Sequence, residues 1–166
     1  YRESAGAVAD GLRYRNGVFA SAHSGRWGLN TEWFVNRQRV QRGALVADIN
    51  TAGWLGLADY VLSGEPSVQG GVAPAHPFDP AKGHWGAVQA AARVAKVTVG
   101  HSAFPYFADS TVAANAATEI ALGVNWFFTR NTKMQLNYER TAFQGGAATG
   151  HRKTEQLVLL RLQVYF

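Results

Sequence analysis

Apolar and polar positions alternate with a period of two along most of this 166-residue chain. In Thr118 to Phe128, Ile120, Leu122, Val124, Trp126 and Phe128 share one face, while Glu119, Ala121, Gly123 and Asn125 share the other. Only an extended strand sends successive side chains to opposite faces. After the turn Thr129-Arg130-Asn131-Thr132, Met134, Leu136 and Tyr138 alternate against Lys133, Gln135, Asn137 and Glu139, which predicts a hairpin. At the end of the sequence, Val158, Leu160, Leu162, Val164 and Phe166 oppose Glu155, Arg161 and Gln163. Upstream, Trp27, Leu29, Thr31, Trp33 and Val35 alternate with Asn30, Glu32 and Asn36. Leu45 to Leu62 reads as a long strand with Trp54 and Tyr60 opposite Asp59. Ala87 to Thr98 sets Val88, Ala90, Ala92 and Val94 against Gln89, Ala91 and Arg93. Residues 12 to 22 form a weaker strand with Arg13 and Arg15 on one face. Seven strands are expected, with loops at 64 to 85, 100 to 115 and 143 to 153 and turns at 23 to 26 and 42 to 44. No segment holds a helical period over its length.

Seven long two-faced strands fit either a soluble sandwich or a membrane barrel. Charged residues (Glu32, Asp59, Arg93, Glu119, Lys133, Glu139, Arg161) gather on one face. Aromatic residues stand near strand ends on the other: Trp27, Trp126, Phe128, Tyr138 and Phe166. Rings at two interfaces, lipid outside and water inside, produce that distribution. The expected fold class is therefore all-β, a transmembrane antiparallel β-barrel. Composition agrees, because a charged fraction of 16% is low for a freely soluble domain. No apolar run is long enough for a helical span. The last stretch, QLVLLRLQVYF, would be an aggregation-prone edge in water unless a partner strand covers it.

The net charge of +5 comes from an uneven choice, twelve Arg against four Lys. Arg holds its charge at any accessible pH and forks onto oxyanions, so the bias favours an anionic partner. Nucleic acid also fits that bias, but its binding calls for basic residues interleaved with exposed aromatics, and here the two tend to opposite faces. The absence of cysteine removes disulfides and thiolate metal sites. His23, His76, His84, His101 and His151 are scattered over loops without metal-site spacing, and no cofactor is expected. His101-Ser102 is too close in sequence to act as a base and nucleophile pair, and no G-x-S-x-G elbow, P-loop or dinucleotide fingerprint occurs, so no enzyme is expected.

Several fragments in order resemble one family. They are Leu62-Ser63-Gly64-Glu65, Pro77-Phe78-Asp79-Pro80, Trp85-Gly86-Ala87 leading to Ala92-Arg93, Gly123-Val124-Asn125-Trp126-Phe127, and Arg161-Leu162-Gln163-Val164-Tyr165-Phe166. Together they are similar to the C-terminal part of the phosphate-selective porins O and P, over about residues 45 to 166. Two positions depart from the family pattern: Gln89 stands for an acid and Ser63 for a threonine. The resemblance implies a 16-stranded, normally trimeric barrel of the Gram-negative outer membrane. This chain would supply about seven C-terminal strands, and phosphate-like small anions would pass an Arg- and Lys-lined lumen. The terminal aromatic is similar to the assembly signal of such barrels, whose last strand closes onto the first.

By strand parity, with Phe166 periplasmic, residues 1 to 11 are expected to be an extracellular loop fragment and 64 to 85 a long periplasmic connection with the length to fold into the lumen. Residues 1 to 166 would then be one part of a single barrel domain, an odd strand count requiring the remaining strands from another chain or a preceding part. The expected anion pathway is Arg13, Arg15, Arg93 and Arg161 on the wall, with Lys82 from the connection and Arg2 from the first loop. For any wall arginine the competing role is a structural ion pair with Asp59, Glu32, Glu119 or Glu139. A porin-like barrel serving as a structural or anchoring subunit of an envelope complex is the alternative function.

Overall fold

The computed structural model describes residues 6–64 and 72–166. They form one antiparallel meander, each strand paired with its sequence neighbours. The strands are β1 (Val8–Ser24), β2 (Trp27–Arg42), β3 (Leu45–Ser63), β4 (Ala87–Val99), β5 (Ala114–Phe127), β6 (Thr132–Gly145) and β7 (Glu155–Val164). The only helical pieces among the described residues are two short 3-10 turns, Pro80–Lys82 and His101–Ala103. The all-β antiparallel expectation is thus met, with seven strands as read from the alternation. β1 and β7 are the two edges, and the sheet does not close on itself.

Strand ends run beyond the expected ones. β1 begins at Val8, inside the segment 1 to 11 assigned to a loop, because β2 is long enough to keep pairing it: Val8 faces Gln41 and Ala9 faces Val40. An irregularity between Ala9 and Arg13 restores the register. β6 likewise runs to Gly145, three residues into the segment assigned to a loop.

Because paired residues share a face, the register fixes both surfaces. Glu32, Asp59, Arg93, Glu119, Glu139 and Arg161 lie on one side, here the ionisable face. The other side carries a predominantly apolar band. It spans Trp27–Val35 on β2, Val88–Val94 on β4, Ile120–Trp126 on β5 and Val158–Val164 on β7, counting alternate residues. Apart from Phe78 and Trp85, which pack on Trp126 at one rim, no described element covers this band: Leu160 is 69% exposed and Leu162 66%.

The band is staggered. The row through Val158 crosses Tyr138, Leu122, Ala92 and Ala58 and reaches β2 at Leu29. On β2 the band runs on to Val35, six residues further. A level apolar belt can cross the strands obliquely in this way only if the strands are tilted to it, which is the geometry of barrel walls.

Buried apolar residues form two small clusters, one at each rim, both on the ionisable face. Val61, Val72, Ala87 and Phe127 make the first, beside the turns. Ile49, Ala103 and Phe107 make the second, with Val40, Ala47 and Val99 packed against it.

Candidate functional site

The centre of the ionisable face is a cross-strand clamp. The guanidinium of Arg93 on β4 donates through Nη2 to Glu119 on β5 and reaches Glu139 on β6 at 3.4 Å. Arg93 stands level with Ala121, whose small side chain leaves room for both acids. One positive charge lies between two negative ones, so this spot is not a net cation. Of the two roles open to Arg93, the geometry is that of the structural ion pair.

Below the clamp, toward the Phe166 rim, four polar side chains join in a ladder across β3 to β6. Gln89 donates to Asp59 Oδ2 at 2.7 Å, Asn125 to Gln89 Oε1 at 2.9 Å, and Gln135 to Asn125 Oδ1 at 2.7 Å. Gln89 and Asn125 each donate one way and accept from the other, so the chain is polarised toward the carboxylate. Asp59 is buried because it lies over Gly28 of β2; a Cβ on that residue would sit 2.4 Å from Oδ1. The ladder was visible in the sequence only as amides on the polar side of successive strands, a signal that needs the register to be read.

The remaining wall arginines sit toward the two edges. On β1, Arg13 Nε donates to Asn36 Oδ1 at 2.8 Å, and Arg15 stands beside it on the same face. On β7, Arg161 faces Gln135, next to the pair Lys133 and Gln163. No acid pairs with Arg13, Arg15 or Arg161 among the described residues. Lys133 lies over the Phe127 ring at 5.5 Å. The five expected pathway residues that the structure describes therefore do not converge. Lys82 is held by Asp79 at 2.9 Å on the turn at the rim, and Arg2 lies outside the described residues.

The two long connections behave differently. In the segment linking β3 to β4, residues 65–71 lie outside the described residues, and Val72 tucks against Val61 and Phe127 on the ionisable face. Further on the chain crosses to the apolar side. There the Phe78 ring meets Trp85, Trp126 and Phe128 at 5.8, 5.6 and 5.4 Å, and Phe78 N–H donates to Phe128 O at 2.8 Å. His76 and His84 stack at 4.6 Å on that stretch. Lys82 and both histidines thus belong to a rim knot built on the outward aromatic cluster.

The segment 100–113 instead folds over the ionisable face at the opposite rim. Phe107 is 2% exposed, packed with Ile49. The segment is tied down by Gly100 N–H to Asn50 O at 2.7 Å, Ser102 Oγ to Asp48 O at 2.6 Å and Arg42 Nη1 to Tyr106 O at 2.6 Å. The alternation predicts only a loop over 100 to 115, although the apolar run Phe104-Pro105-Tyr106-Phe107-Ala108 is the signal of a segment with something to pack against. The Thr111 hydroxyl and then its N–H donate to Asp109 Oδ1 and hold that carboxyl below the usual aspartate range. The turn's contribution is complete above that range and fades only as the pH falls through the lowered value.

Charge of both signs on one face, an uncovered apolar band on the other and a segment folded across the ionisable side define a wall of the porin type. The family model for the phosphate-selective porins O and P matches residues 2–166, and the chain belongs to that family. The match takes in residues 2 to 44, where the sequence carries little beyond strand pattern. A search of curated proteins found no match. Among the described residues no group of three or more potential metal ligands occurs.

Proposed function

We propose that this chain is part of the wall of an outer-membrane porin that lets small inorganic anions, phosphate-like ones in particular, diffuse passively along its ionisable face. The apolar band faces lipid, and the Phe166 rim is periplasmic. On this reading the 100–113 segment enters from outside and narrows the lumen, and further strands complete a barrel of the trimeric, 16-stranded kind. The observation that carries the reading is the trio Arg13, Arg15 and Arg161, cations on the water-facing side with no acid partner among the described residues. Fixed positive charge lowers the barrier to anions and raises it to cations, provided no site binds too tightly. Arg93 supplies position instead, locking three strands together.

The test is the reversal potential of the whole porin in planar bilayers under a KCl gradient. A charge about 4 Å from a passing ion in water is worth about 1 kcal/mol, a factor of about five. Arg15→Ala and Arg161→Ala are therefore each expected to lower the anion-over-cation permeability ratio by up to about fivefold. The double change Glu119→Gln with Glu139→Gln releases the Arg93 charge and is expected to move the ratio the other way. Unchanged reversal potentials in both arginine variants would remove the anion pathway from this face. A barrel with a structural role is the second reading, favoured by inward packing at both rims, and it predicts no measurable conductance.

A further inference from the structure

The ionisable face is not polar throughout. Where β2 to β5 adjoin, a hollow of about 270 Å3 has an apolar floor of Phe34, Leu55, Val97 and Ala117, with the carboxylates of Glu32 and Glu119 at its margin. Phe34 reaches the floor because its ring lies over Gly53. A Cβ on that glycine would stand 2.5 Å from Phe34 Cε1, so the ring covers bare backbone. The nearby Lys96 is no counterion to the hollow, since it pairs with Trp54 and shares that residue's place on the opposite face.

The two carboxylates are not equivalent. Glu119 is taken by Arg93. Glu32 has no cationic partner among the described residues. An inorganic anion meets only repulsion there, and an inorganic cation gains nothing from the apolar floor. The chemistry that satisfies both features is a positive charge on an apolar body. The ammonium lies against Glu32, the body displaces loosely held water from the floor, and the Phe34 ring adds attraction for the cation.

We propose that this hollow is a subsite for organic ammonium solutes with one aromatic ring or a short alkyl body, separate from the steps that carry inorganic anions. It gives an otherwise anion-favouring wall a place where amphiphilic cations pause.

Phenethylammonium is the probe, added to the whole porin in planar bilayers. Brief current interruptions are expected, their frequency rising with concentration. Tetramethylammonium, a charge without a ring, and 2-phenylethanol, a ring without a charge, are expected to produce none. Glu32→Gln is expected to shorten the interruptions about fivefold, the loss of one partly screened ion contact, and Glu32→Asp to keep most of their length. Phe34→Leu, which keeps bulk but removes the ring, is expected to shorten them as well, and it decides the matter if Glu32→Gln yields no channels. Interruptions of unchanged length in the variants, or equal ones with tetramethylammonium, overturn the proposal.

Discussion

Phe107→Ala is expected to widen the pore while leaving the sheet intact. Phe107 is 2% exposed and is the largest of the three buried residues of its cluster, with Ile49 and Ala103, so the partly buried side chains packed around them do not refill its volume. Truncating a buried Phe to Ala costs about 3–5 kcal/mol, counting transfer and the cavity left behind. Beside the smaller packing of Ala103 and Phe104, the segment is held by single hydrogen bonds at Gly100, Ser102 and Tyr106, each worth about 1 kcal/mol net. Losing the ring therefore removes most of what holds the segment against the wall, whereas the strands keep their ladders. The expected readout is a higher single-channel conductance together with faster amide exchange across residues 101–113 and unchanged exchange in β3 and β4. Phe107→Leu, which refills most of the volume, is expected to restore the smaller conductance. Faster exchange with unaltered conductance would show that the segment does not narrow the path.

That prediction rests on a feature the sequence did not disclose, and the reason is physical. Period-two alternation is a local property, and it located all seven strands because each strand's own residues carry it. The face of every wall residue followed from the same period: Arg13, Arg15, Arg93 and Arg161 all lie on the ionisable side as read. Partners are a different matter, since Arg93 meets Glu119 and Glu139 across separations of 26 and 46 residues. Which acid stands beside which base depends on the register, set by turns and bulges rather than by the pattern itself. The same limit explains the amide ladder and the docking of Phe107. In the 64 to 85 connection it is likewise a contact between distant residues, Phe78 on Trp126, that fixes where the described part lies, with Lys82 held by Asp79 at the rim.

The terminal strand shows both the power of the alternation and its ambiguity. Leu157, Val158, Leu159 and Leu160 are consecutive apolar residues, and hydrophobicity alone does not say which of them turn toward water. The register does: Leu157 pairs with Glu139 and Leu159 with Asn137 on the ionisable face, whereas Val158 and Leu160 pair with Tyr138 and Leu136 on the apolar one. Two leucines on the ionisable face are tolerable because scattered single apolar side chains among polar neighbours are ordinary on a hydrated surface.

Adjacent substitutions can therefore decide the face assignment on which the transport reading depends. Leu160 sits within the Val158–Val164 stretch of the band, so Leu160→Arg places a charge near the middle of the hydrocarbon. The cost for Arg at the midplane of a barrel wall is about 2–4 kcal/mol. Refolding of the whole porin into lipid vesicles is expected to show that loss in a denaturant titration, or no folded product at all. Leu159→Arg introduces the same side chain one residue earlier, on the ionisable face beside Arg161, where water solvates it. It is expected to refold with a loss below about 1 kcal/mol, as for an ordinary exposed substitution. Because the two variants share strand and side chain and differ in the face they occupy, their difference reports the medium each face meets. Equal losses would mean that the uncovered band contacts protein or water instead of lipid, and the membrane reading of this sheet would fail with it.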